Sequence, residues 1–319
     1  MSTVNIVVAG ATGKLGKLIT ESLIERAKAA GQPIRVIGLE RARGANSTKT
    51  ITTSSSEQQF IIEPVDYNNE DDLKRVTQGA YSIVSALQGV EDVIVGVQSR
   101  LLSAAIANHV RRFIPSDYSL DIFKIPRGSN RNFDIRLKFH DVASQLVTET
   151  KSNIEITSIF QGAFTELLAG GRIIFDYKKR TASYFGSPDT KMEFTTWKNT
   201  AQYTAAAALD QNSTPSKLCI AGMRLSPKEA QQIANKVTGV NFRLKPLMSI
   251  GMLQRVIGIL KFFAPGKNST MPIWVKMQYA YCMAIGPSLP EQLDNSRYQG
   301  INWSGIEDVV LQAYHSATK

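Results

Sequence analysis

The sequence predicts a doubly wound α/β fold, a parallel sheet with helices on both faces, followed by a smaller and less regular C-terminal domain. Three observations point there. Short β-branched runs alternate with helical patterns from Val4 to Phe160, the repetition that parallel strands joined by crossover helices require. A glycine triplet in "GATGKLG" separates the first strand from the first helix, and after Gly162 the alternation gives way to apolar and aromatic clusters.

Taken in order, "VNIVVAG" is strand one, and Lys14 to Ala30 is a helix with Leu15, Leu18, Ile19, Leu23 and Ile24 on one face before Gly31 stops it. "IRVIGLE" is strand two and "FIIEPVD" strand three. The polar stretch between them, "RARGANSTKTITTSSSEQQ", reads as a loop or short helix beside a cofactor phosphate, or as plain solvent-facing chain. "DDLKRVTQG" is a helix, "YSIVSAL" strand four, "SRLLSAAIANH" a helix and "VRRFIPS" strand five. A helix over Leu137 to Thr150 and the strand "IEITSIF" complete the alternation.

Further on, "KLCIAGMRLSPKEAQQIANKVTG" is a strand and a helix with Ser226 as N-cap and Glu229 at the capping-box position. The stretches "MLQRVIGILKFFAPG" and "MPIWVKMQYAYCMAIGP" line a pocket or close the smaller domain. The first, apolar with basic insertions, also fits a helix at a membrane surface, but buried core is the expectation. Residues 1–160 then form the nucleotide-binding domain, with 181–222 returning to it, and 161–319 form mainly a substrate-binding domain.

With 319 residues, 43% hydrophobic and 20% charged, the chain can bury a sizeable core, so disorder is not its theme. No apolar run of membrane-spanning length occurs, and the strand-like run at Val4 leaves no room for a signal peptide, so a cytoplasmic protein without a membrane partner is expected. Cys219 and Cys282 are far apart, and His109, His140 and His315 form no zinc-type pair, which argues against a disulfide framework and against a metal. Asn-x-Ser/Thr triplets at Asn46, Asn212 and Asn268 would matter only in a secreted chain. The formal charge of +10 suits an anionic partner. Its cations are spread out, without the aromatic pattern of a single-strand binder, so a phosphorylated cofactor is expected and nucleic acid is not.

A triphosphate loop needs G-x-x-x-x-G-K-[ST], and here Gly16-Lys17 is followed by Leu18. What fits is Gly10, Gly13 and Gly16 at a strand-to-helix turn. Gly10 permits the bend, Gly13 lets the backbone approach a pyrophosphate, and Gly16 allows close helix packing, so the helix amino terminus faces the anion. Thr12, Lys14 and Leu15 belong to the same turn. At the end of strand two, Glu40 would pair with a ribose diol, but Arg41, with Arg43 and Lys49 nearby, brings cations to where a 2′-phosphate sits, which favours NADP over NAD.

The motifs "GATGKLG", "VIGLER", "IVSAL", "RRFIPSDYSLD", the lysine of "FDIRLKFHD" and "TSIFQGAFTELL" together resemble the NmrA-like and isoflavone-reductase-like branch of the atypical short-chain dehydrogenases. The likeness extends over nearly the whole chain. It implies an NADPH-dependent reductase in which Arg41 meets the NADP phosphate, and Ala86, Leu87, Gln88, Pro115 and Ser116 contact the cofactor. Lys138 corresponds to the family's active-site lysine. Phe160, Gln161 and Phe164 become pocket residues, with Gln161 facing nicotinamide or substrate.

None of the ten tyrosines has a lysine four residues on, so the Tyr-x-x-x-Lys proton carrier of ordinary short-chain dehydrogenases is missing. Lys138 would then protonate a developing oxyanion or stabilise it electrostatically; the other reading of this lysine is an exposed helix residue paired with Asp134 or Asp141. His140 and Tyr118 would orient substrate. The expected protein is a monomer or homodimer that reduces a small aromatic, quinone-like or conjugated carbonyl compound. The rival expectation is a non-catalytic NADP(H) sensor, as regulatory members of the resembling family are.

Overall fold

The structure, a computed structural model, describes residues 2–42, 57–169, 174–266 and 269–318. The polar segment with Arg43 and Lys49 lies outside them. β1 (Val4–Ala9), β2 (Ile34–Arg41), β3 (Gln58–Val65), β4 (Ser82–Ser85), β5 (Arg112–Ile114) and β6 (Glu155–Ile156) form one sheet in the order β3-β2-β1-β4-β5-β6. All its pairings are parallel.

Alternation along β1 sends Val7 and Ala9 to one face and Ile6 and Val8 to the other, all with no solvent exposure. On the first face lie α2 (Glu70–Thr77), α3 (Gln98–Ala107) and α4 (Arg131–Thr150). On the second lie α1 (Lys14–Ala29) and a later helix, α5 (Trp197–Leu209), whose Ala201, Ala205, Ala207 and Ala208 are small enough to pack it close. Each fully buried Val, Ile or Leu side chain here contributes about 1.5–3 kcal/mol.

Three elements of the first half differ from the sequence expectation. α4 starts at Arg131 rather than Leu137, because the Asn130 side chain accepts the Asn132 N–H at 2.9 Å and the Phe133 N–H at 3.3 Å and so caps the helix early. α3 is preceded by a π-helical segment, Asp92–Val97. The last strand breaks at Thr157, and its second half, β7 (Ser158–Phe160), pairs away from the main sheet.

The remaining chain forms small sheets from distant segments. β8 (Ala163–Phe164), β9 (Phe175–Asp176), β10 (Thr181–Phe185), β11 (Met192–Thr195), β12 (Lys217–Cys219), β13 (Met223–Leu225) and β14 (Arg243–Met248) make the sets β14-β10-β9, β13-β11-β8 and β12-β7. α6 (Pro227–Thr238) begins with the expected capping box. The Glu229 N–H donates to Ser226 Oγ at 3.2 Å, and the Ser226 N–H donates to Glu229 Oε2 at 2.9 Å. α7 (Ile250–Phe263), α8 (Ile273–Ala284) and α9 (Glu307–Thr318) follow. The expectation of buried core does not hold for α7, where only Leu253 and Ile257 are buried.

Arg112 in β5 has no exposed side-chain surface. It donates to Glu155 Oε2 at 2.6 Å, Thr214 Oγ1 at 2.8 Å, and the carbonyls of Ala207, Asp210 and Asn212 at 2.6, 2.8 and 2.7 Å. A buried cation is tolerable only when its donors are satisfied. Here they tie β5 to β6 and to the turn after α5.

Candidate functional site

The cleft is built on the glycine turn between β1 and α1. Gly10 has φ of +79°, and the Gly13 N–H donates to its carbonyl at 3.0 Å. A Cβ at Gly16 would lie 2.1 Å from Gly10 O, so this glycine seats the helix on the turn itself. α1 has no side-chain cap and no acidic residue in its first turn. Its amino-terminal N–H groups and the positive end of its dipole therefore suit an anion. Thr12, Gly13 and Lys14 around it are exposed, and Leu15 is half-buried.

Neighbouring strand ends close on this turn. A Cβ at Gly10 would come 2.7 Å from Ala86 O, which puts the Ala86–Leu87–Gln88 segment after β4 directly against it. Ser116 Oγ donates to Leu87 O at 2.6 Å and the Ser116 N–H to Gln98 Oε1 at 3.0 Å, so Pro115 and Ser116 continue the same wall. Arg41 ends β2, beside β1, with its side chain exposed.

At the end of β7, Phe160 and Gln161 part company. Phe160 is fully buried among Leu120, Ile122, Phe133 and Leu137, so its ring serves the core instead of a pocket. Gln161 is held by its backbone, its N–H on Ser119 O at 3.0 Å and its carbonyl taking Thr195 Oγ1–H at 2.7 Å. Its carboxamide is buried, and neither Nε2 nor Oε1 has a partner. Leaving such a group unpaired costs about 1–3 kcal/mol, so it marks a place for a polar ligand. The Phe164 ring lies tilted against Trp197, with centroids 5.7 Å apart, and the Lys14 Nζ lies over the same indole.

α4 presents two different faces. Arg136 Nε donates to Ser116 O at 2.9 Å, and one turn on His140 Nε2 lies 2.6 Å from Asp117 Oδ2, which also accepts Ser158 Oγ–H at 2.8 Å. Asp117 has no exposed side-chain surface and His140 has 15%. Burial alone would lower the imidazole pKa, but the Asp117 charge and hydrogen bond, with Asp141 nearby, outweigh it and raise the value above its usual range. Burial would correspondingly raise Asp117, but His140 and Arg136 hold it below the usual carboxylate range.

Lys138 points elsewhere. It is exposed, and its ammonium pairs with Glu91 at the start of the π-helical segment, not with Asp134 or Asp141. Tyr118 packs against the apolar layer beneath α5, where burial pushes its phenol pKa up.

The structure thus brings Gly10, Thr12, Gly13, Lys14, Leu15, Gly16, Ala86, Leu87, Gln88, Pro115 and Ser116 to one wall. Lys138 pairs with Glu91, three residues past Gln88, and Tyr118 packs beneath α5. Sequence reading missed Asp117, Arg136, Ser158, Glu166 and Trp197. Only the four-residue spacing of Arg136 and His140 was a signal, because it places both on one helix face.

Sheet order, glycine turn and uncapped helix define a protein of the Rossmann class, with its cleft across the carboxyl ends of β1, β4 and β5. The chain belongs to the NmrA-like family, whose family model matches residues 2–275. An oxidoreductase of Metarhizium robertsii, swnN, is 24% identical over an alignment of 268 residues that covers 75% of this chain and 75% of that protein. Among solved structures, an isoflavone reductase superposes with a TM-score of 0.71 at 16% identity, covering 98% of this chain and 99% of that one. AtPrR2 with NADP+ and (+)-pinoresinol gives the same figures. The binary complex of leucoanthocyanidin reductase with NADPH from Vitis vinifera gives 0.69 at 15%, with the same coverage. At these identities the structural likeness concerns the fold.

Proposed function

We propose that the protein is an NADPH-dependent reductase of a small aromatic, quinone-like or conjugated carbonyl substrate. The observation that carries this reading is the orphaned carboxamide of Gln161, a buried donor and acceptor pair complementary to the carboxamide of nicotinamide. The uncapped end of α1 offers the matching place for a pyrophosphate, and exposed Arg41 offers one for a 2′-phosphate. Solved relatives carrying NADP+ and NADPH support the same cofactor. Bound NADPH would supply the hydride.

The chain's own part is to bind, orient and handle a proton. Two groups on α4 could do the last, Lys138 and His140. We place the proton on His140, because Asp117 fixes its ring and raises its affinity for a proton, whereas the Lys138 side chain is exposed and paired with Glu91. Asp117 and Ser158 then act as positioning residues.

Gln161→Met tests the cofactor reading. It removes an unpaired polar group at similar volume, so the variant should melt at or above the wild-type temperature yet bind NADPH about tenfold more weakly; unchanged NADPH affinity would count against it. The Lys138 pairing favours one second reading, a cofactor sensor without turnover. Partner capture that follows the NADP+ to NADPH ratio, with no turnover across a panel of quinones and enones, would replace the reductase reading with that one.

A further inference from the structure

α7 has two apolar faces. Leu253 and Ile257 pack inward, towards α8. Met252, half-buried Val256, Ile259 and Phe263 form a second stripe at four-, three- and four-residue intervals, about a third of a turn round the helix from the first. Met252 is 55% exposed, Ile259 57% and Phe263 77%, and the adjoining Phe262 is 80% exposed, its ring meeting that of Phe263 edge to face at 5.1 Å. A surface helix ordinarily hides its single apolar stripe, so a second one ending in two bare phenyl rings calls for an occupant.

Charge identifies that occupant. From Ala230 to Pro290 the sequence has no Asp or Glu, all 27 lying elsewhere, while Lys236, Arg243, Lys245, Arg255, Lys261, Lys267 and Lys276 fall within it. Arg255 is exposed beside the stripe, and Lys261 is exposed on the last turn. A second copy docked on this face would set cations against cations without a local acid between them. No helix among the described residues is long and apolar enough to cross a membrane, which leaves the geometry of a helix lying in the interface.

We propose that α7 docks the protein on an anionic bilayer surface, with Met252, Ile259, Phe262 and Phe263 at the acyl boundary and Arg255 among the headgroups. Ser269 and Thr270, between α7 and α8, meet the first residue of α4, since Arg131 donates to their carbonyls at 2.8 and 2.9 Å. Docking is independent of the reaction assigned above.

The test is co-sedimentation of the full chain with vesicles of phosphatidylcholine containing about one third phosphatidylserine, against phosphatidylcholine alone. Binding should require the anionic lipid and weaken with salt. Phe262→Ser with Phe263→Ser should lower the partition coefficient about tenfold, and Arg255→Ser about fivefold. A second pair, Met252→Ser with Ile259→Ser, should act in the same direction, and all these side chains are exposed enough to leave the melting temperature in place. Wild-type protein that stays in the supernatant, or phenylalanine variants that sediment like wild type, would overturn the proposal. So would a dimer in sedimentation velocity that the phenylalanine substitutions dissociate, which would assign the face to a second copy.

Discussion

The Lys14 ammonium lies 3.1 Å above the centre of the Trp197 ring, so the first residue of α1 meets the first residue of α5 face to face. Glu166 completes the contact by accepting the Trp197 N–H at 2.9 Å, and burial raises the pKa of that carboxyl despite the hydrogen bond and the nearby Lys14. The glycine turn is thereby joined to the start of α5 and to the segment that carries Glu166.

This contact should appear as a coupling energy. Lys14→Met and Trp197→Ala, alone and together in a urea-denaturation cycle, should show an interaction of about 1 kcal/mol. Strict additivity would mean that the contact contributes nothing to stability.

The glycines of the turn should separate folding from binding. A Cβ at Gly13 meets nothing closer than Gly10 O at 3.3 Å, whereas one at Gly16 meets the same oxygen at 2.1 Å. Gly16→Ala should cost about 2 kcal/mol or more. Gly13→Ala should melt close to wild type and lose NADPH affinity, as read by fluorescence titration; full affinity in Gly13→Ala would argue against a pyrophosphate at this turn.

Arg112 should behave as a buried keystone without touching any ligand. Arg112→Met strands Glu155 and several carbonyls, at a cost of about 3–5 kcal/mol, and Arg112→Lys should recover little because an ammonium cannot reach the same spread of acceptors. A denaturation midpoint within experimental error of wild type for Arg112→Met would refute this.

The His140–Asp117 pair fixes the sign of a pH effect. The His140 pKa is raised in the folded protein, so its contribution is complete below the ordinary value of 6.5 and is lost as pH rises through the higher folded value. The Asp117 pKa is depressed, so its contribution is present above 3.8 and is lost as pH falls through the lower folded value. Relative to His140→Asn, wild type should therefore gain most stability between pH 3.8 and 6.5 and lose the advantage above it. In turnover, His140→Asn should lose about a hundredfold while Lys138→Ala loses far less; the opposite order would return the proton to Lys138.

Arg41→Ala should weaken NADPH about tenfold or more while leaving NADH nearly unchanged. Equal losses for both cofactors in parallel titrations would exclude a 2′-phosphate contact.

Much of the first half was legible because its signals are local. Helix α1 ends within a residue of the expected place, and the Ser226–Glu229 box marks the start of α6 as read. The start of α4 is obscured in the sequence by the polar opening "RNFDIR", in which buried Phe133 and Ile135 stand two residues apart and so on different sides of the helix. Parallel pairs such as Thr181 with Arg243 draw on segments with no local link, so periodicity cannot announce them. The site divides the same way. A glycine turn is a contiguous motif, but Asp117 with His140, and Lys14 with Trp197, become partners only through the fold.

α5 and β12 carry one more consequence. Ala201, Ala205, Leu218 and Ile220 fill the layer over Ile6, Val8 and Val84, and the three carbonyls that accept from Arg112 belong to Ala207, Asp210 and Asn212. A fragment ending at Phe160 would keep α1 but expose the part of that side that α5 covers, and would leave a buried guanidinium half-satisfied. On a ribosome, the nascent first lobe would have to wait for the chain past Ile220 before it could close, and a protease cutting at Gly162 would not release a self-sufficient half.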